Sequence, residues 1–230
     1  MARNKKKKNP VVVFFKVIFI LAIILLAGFL FGFSFYQYNV LSNEVTQITS
    51  ITPGEDEINM DLATMGEYQQ VEVLIKNYMQ EYLEELDKLR NVLAEEQFEN
   101  ILSVENMEKD GPEFTESYAY LEQKEQEIDS LCDTLLAMRE EENYLAPGKA
   151  ADLNFFLQWE YDTNMETIAR SYMYDEESLE KTKTELKDYI DHRREALDFL
   201  KDNKDSWHIE DGKISFVSED LLRHYNELIS

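Results

Sequence analysis

A mainly α-helical chain is predicted: a single N-terminal transmembrane helix, an antiparallel bundle of about three long helices, and a small C-terminal β-hairpin with a short helix. Three observations predict it. Val17 to Phe35 is an uninterrupted apolar run of 19 residues. Long stretches after residue 62 repeat apolar residues every three or four positions, the spacing of one helix face. Near the C-terminus, two short alternating runs flank Asp211-Gly212, the strongest local signal for a hairpin.

The apolar run comes first. At ~1.5 Å per residue it matches the ~30 Å hydrocarbon core of a bilayer. Lys5-Lys6-Lys7-Lys8 precede it, with Arg3 before them and Lys16 at its edge. All 47 acidic residues lie from Glu44 onward, where 17 basic residues leave a net −30. Basic residues flanking a span stay in the cytoplasm, so the N-terminus is expected inside and the acidic remainder outside. A cleaved signal peptide would have a shorter apolar region and a small-residue cleavage site. This run instead ends in bulky Phe33, Phe35, Tyr36 and Tyr38, with no small-residue cleavage pattern, and Tyr36 and Tyr38 suit the aromatic belt of the outer interface. The expected divisions are a basic tail (1–16), a transmembrane helix (17–38), a stalk and linker (39–61), a helical ectodomain (62–205) and a C-terminal closure (206–230).

In the stalk, Leu41, Val45, Ile48 and Ile51 keep helical spacing until Pro53-Gly54 opens a linker through Asp61. A helix is then predicted over about 62–109, on the stripe Val71, Ile75, Tyr78, Tyr82, Leu86, Leu89 and Leu93, continuous or kinked near Glu95-Glu96-Gln97. Gly111-Pro112 ends it. A second helix is predicted over about 113–143, broken at Ala146-Pro147-Gly148. A third runs from Ala151 to about Lys204, either continuous or broken near Tyr174-Asp175. Short breaks make successive helices antiparallel neighbours. In the closure, Trp207, Ile209, Ile214 and Phe216 must lie on the helices, because a lone hairpin is marginal in water. Ser218 caps the last helix.

No constellation for catalysis, cofactor or metal stands out. His192, His208 and His224 are far apart, and Cys132 is the single cysteine, so no intrachain disulfide can form. Acidic pairs are too common here to single out any one. The charge excludes nucleic acid as a partner, since phosphate backbones are repelled. The absence of N-x-[ST] acceptors and of disulfides points to a bacterial envelope.

Two features are candidate sites. Phe155, Phe156, Trp159, Tyr161, Tyr172 and Tyr174 cover more than one helix face, either as core or as an interaction or ligand surface. Gly28-x-x-x-Gly32 has the spacing that lets two transmembrane helices approach closely, a route to a homodimer. The function expected is that of a non-enzymatic, membrane-anchored interaction or scaffold protein whose partners are the lipid bilayer and another envelope protein. The alternative is an extracytoplasmic ligand-binding or sensory module with a pocket near the aromatic patch.

Overall fold

A computed structural model describes residues 10–229, with side chains from residue 18 onward. The basic cluster at positions 3–8 lies outside the described residues, as does the Lys16 side chain. The fold class is as the sequence predicts: a mainly helical chain with a long apolar N-terminal helix, a two-stranded antiparallel hairpin and a short last helix.

Helix α1 (Pro10–Ile48) is one unbroken rod of 39 residues. From Ile18 to Phe35 it is almost bare of tertiary cover, whereas Gln37, Leu41, Val45 and Ile48 are buried. The expected stalk is therefore no spacer. Its apolar stripe packs on α2 (Tyr68–Asn91) and α7 (Phe155–Ser171) and belongs to the main core. The chain then turns back as an extended strap. Gly54 lies against Asp87 and Arg90, the Asp61 carbonyl accepts from Lys76, and Met65 meets Gln37. As a result α1 and α2 run parallel, with Ser34 level with Tyr68 and Glu44 with Lys76.

Helix α2 is the central element, packed on α1, on α5 (Thr115–Arg139), on α6 (Glu141–Ala150) and on α7. The predicted 62–109 helix proves shorter and interrupted. After Asn91 the chain forms a short α3 (Glu96–Glu99), a 3₁₀ turn (Asn100–Leu102) and α4 (Val104–Asp110). Lys124 of α5 holds this irregular stretch through Glu95 at 2.6 Å and pairs with Glu127 on its own helix at 2.8 Å. Gly111 ends α4, as expected.

The break expected at Ala146-Pro147-Gly148 is displaced to Glu140, and Pro147 sits inside α6. Two features account for this. Acidic Glu141 and Glu142 favour a helix N-terminus there. Gly148 is also buried against Tyr161, where an added Cβ would lie 2.3 Å from the ring. Close packing on α7 thus holds a helix that proline alone would weaken.

The third stretch is broken where Tyr174-Asp175 allowed it, giving α7 and α8 (Glu176–Asp202). No glycine or proline forces the break. The Tyr172 hydroxyl donates to the Ile51 carbonyl at 2.9 Å, the Tyr174 amide donates to the Tyr82 hydroxyl at 2.8 Å, and Asp175 caps α8 through Ser178. Helices α5 and α8 are antiparallel, with Arg194 on Glu125 and Lys183 and Lys187 on Asp129.

The hairpin pairs β1 (Trp207–Glu210) with β2 (Lys213–Phe216), Trp207 opposite Phe216, around positive φ at Asp211 and Gly212. Its apolar residues lie against the core, and Trp207 Nε1 donates to the Leu200 carbonyl at 2.7 Å. Helix α9 (Glu219–Leu228), capped by Ser218, seats Tyr225 against Phe199 and Phe216. This closure lies at the end of the bundle remote from residues 18–35. From Tyr68, level with Ser34, about ten residues of α2 lead to Tyr78 beside Met138, and about 24 more back along α5 lead to Phe114 against Trp207, roughly 50 Å in all at ~1.5 Å per residue.

Candidate functional site at the base of the domain

The predicted aromatic group divides in two across α7. Leu157, Tyr161, Met165 and Ile168 face the core, and the Tyr161 hydroxyl donates to the Tyr144 carbonyl at 2.8 Å. Tyr172 is half-buried as part of the α7–α8 clamp, and Tyr174 is exposed beside it. At the other end of the helix, Phe155 is 90% exposed and Trp159 52%. Phe156 bridges outward to Trp159 and inward to Tyr68, with ring centroids 6.1 and 6.3 Å apart.

This outward group sits where the domain meets the bare part of α1. Asn154 caps α7 by accepting from the amides of Phe156 and Leu157, and its side chain donates to Glu67 at 3.0 Å. That bond holds the α7 start beside the 62–67 turn, which brings exposed Leu62 and Met65 to the same end. The Met65 amide donates to Gln37 of α1 at 2.6 Å, and the Tyr68 hydroxyl to the Ser34 carbonyl at 3.3 Å.

Between α1 and the start of α7 lies an open-sided groove of about 430 Å³. Leu30, Phe31, Phe35 and Phe156 form its apolar wall, and Ser34 and Tyr38 add hydroxyls. Glu160 completes it. That residue is 2% exposed, and its carboxylate has no hydrogen-bond or ion-pair partner among the described residues. Burial without compensation pushes the carboxyl above its ordinary range. Sequence reasoning singled out Phe156 and missed Glu160, one of many acidic residues and unremarkable in composition. The available signal was its place one residue before Tyr161, on the edge of the buried stripe.

Farther along α1, a buried ionic cluster locks it to the domain. Lys76 Nζ lies 2.8 Å from Glu44 and 2.7 Å from Glu72 and donates to the Asp61 carbonyl at 2.6 Å. Glu72 also accepts from the Ala63 and Thr64 amides and from the Thr64 hydroxyl. These bonds hold the Glu72 carboxyl below its ordinary range in spite of burial, and the two carboxylates hold Lys76 above its own.

Other candidates offer less. A groove between α2 and the α5–α6 junction, about 610 Å³, is lined by Glu81, Glu84 and Glu85. Among the described residues, no group of three or more His, Cys, Asp or Glu side chains is placed to hold a metal ion. Cys132 is buried, and burial raises its thiol pKa, the reverse of what activates a nucleophile. Gly28 and Gly32 are exposed, with open space around both, on the side of α1 turned away from Leu41 and Val45. Compared with known proteins, the chain matches no family model, no curated protein and no solved structure.

Proposed function

We propose that this protein is a single-pass, membrane-anchored scaffold of the cell envelope, without enzymatic activity, with its N-terminus in the cytoplasm and its acidic helical domain at the outer face. The carrying observation is the continuity of α1. Its first exposed part is long and apolar enough to cross a bilayer, and the same rod then becomes a core helix of the domain. Residues 18–48 would extend about 46 Å at ~1.5 Å per residue. That length exceeds the ~30 Å hydrocarbon core by the portion that packs on α2 and α7. The domain therefore sits directly on the membrane, and whatever binds it meets a surface of fixed height and orientation.

Several features support the orientation. The positive flank lies before α1 and every acidic residue after residue 43. Tyr36 and Tyr38 are exposed at the level where an outer aromatic belt would lie. Protease added to intact cells tests the reading. The domain is expected to be digested from outside while the anchor stays in the membrane fraction. A domain protected until the cells are lysed, or released to the medium without its first forty residues, overturns it.

A second reading, a ligand-binding module, is favoured by the groove holding Glu160. It bears on what the scaffold touches at its base.

A further inference from the structure

From the Glu160 groove we infer a lipid site: it takes the headgroup of an outer-leaflet phospholipid bearing a primary ammonium, with the acyl chains lying along Leu30, Phe31 and Phe35. The inference rests on the membrane-anchored reading, because only a spanning α1 places this groove at the depth of the outer leaflet. Three observations choose the occupant. The wall is apolar and continuous with the bare face of α1, so lipid chains solvate it without loss. The one charged side chain in the groove is a buried, unpartnered carboxyl, and such a group is costly unless a donor or cation meets it. Finally, Ser34, Tyr38 and Glu160 lie at the rim where headgroups sit, since Ser34 and Tyr38 end the bare part of α1.

A primary ammonium satisfies the carboxylate twice over, by charge and by N–H donation. A quaternary ammonium supplies the charge but no donor, and the glycerol headgroup of phosphatidylglycerol supplies hydroxyl donors but no cation, beside a phosphate whose charge nothing offsets. The site should thus prefer phosphatidylethanolamine to phosphatidylcholine and both to phosphatidylglycerol.

The full chain, reconstituted in nanodiscs of phosphatidylcholine and phosphatidylglycerol, is doped with chain-brominated phosphatidylethanolamine or chain-brominated phosphatidylcholine. Trp159 fluorescence reads occupancy, because Trp207 lies at the far end of the bundle. Quenching by the ethanolamine lipid is expected at a mole fraction about tenfold lower, the equivalent of one charge-assisted hydrogen bond. Glu160→Gln should erase that preference without lowering the melting temperature. Equal quenching by the two lipids in the parent overturns the headgroup assignment and leaves the membrane seat intact. A preference retained in Glu160→Gln overturns the role given to the carboxylate. Quenching by neither lipid overturns the seating, and with it the anchored reading. A photoreactive residue at Phe35 should capture lipid; capture of a polypeptide, a second copy included, overturns the site.

Discussion

Lys76 is 1% exposed, and its one ammonium holds the polar part of the contact between α1 and the domain, joining Glu44 of α1 to Glu72 of α2. Removing one member of a buried ionic group leaves the others charged and dry, which costs about 3–5 kcal/mol. Lys76→Met should therefore lower unfolding stability by that amount at neutral pH, measured by urea unfolding in micelles. The pH dependence follows from Glu72. Its folded pKa lies below the ordinary 4.5, so the stability it contributes is complete above that value and is lost as pH falls through the lowered one. Lys76→Met should also flatten this acid limb, because the bond that lowers Glu72 most is the one to Lys76.

Glu160 has the opposite sign. Its folded pKa is raised, so its stabilising contribution is full below the ordinary glutamate value and is lost as pH rises through the folded one. In lipid-free micelles, Glu160→Gln should melt higher than the parent at pH 8, and the gap should close toward pH 4. A lower melting temperature at pH 8 would show that the carboxylate has a partner in the folded protein. Neither residue was legible beforehand, because a buried charge looks like any other charge until the chain returns to cover it. The aromatic residues were half-legible. Leu157, Tyr161, Met165 and Ile168 keep helical spacing, which by itself sets Phe155 and Trp159 on the opposite face.

At the scale of elements, the local signals worked where they acted over a few residues and failed where tertiary contact decided. Asp211-Gly212, Ser218 and Gly111 end or turn elements as their chemistry requires. The break between α7 and α8 is held by the Ile51 carbonyl, which accepts from Tyr172, and the Tyr82 hydroxyl, which accepts from the Tyr174 amide, both brought in from distant positions in the chain. The persistence of α6 through Pro147 is likewise a packing effect, and it gives a prediction with a sign opposite to helix propensity. Alanine favours a helix over glycine by about 1 kcal/mol. Gly148→Ala should nonetheless destabilise the protein by about 1–3 kcal/mol, because its Cβ would meet the Tyr161 ring at 2.3 Å and the ring is fully buried. Thermal unfolding of this variant beside Gly212→Ala separates the two causes, since Gly212 has open space around it and a φ of 70°, so any loss there is backbone strain alone.

For the whole molecule, the membrane-anchored proposal turns on whether the acidic bundle would stand off the membrane or rest on it. A charge of −30 from Glu44 onward would push a freely tethered domain away from an anionic leaflet. That repulsion is screened within ~8 Å at physiological ionic strength, so a tip ~50 Å away contributes almost nothing to it. Only the base decides. There, Leu62, Met65, Phe155, Phe156 and Trp159 are exposed apolar side chains. Fully burying such a side chain is worth about 1.5–3 kcal/mol; Phe155, 90% exposed, has nearly all of that to gain and the other four about half each, against about 1 kcal/mol for a single charge near a surface. The apolar seat wins, and the lock at Lys76 keeps the rod from swinging out of it. Cys132 is buried with a raised pKa, so a thiol-reactive fluorophore should label only an introduced cysteine. With nitroxide-bearing headgroups in the outer leaflet, a fluorophore at Met65→Cys should be strongly quenched and one at Lys213→Cys left bright. A flexible tether would average the two positions, and comparable quenching at both would remove the rigid seat on which the proposed scaffold role depends.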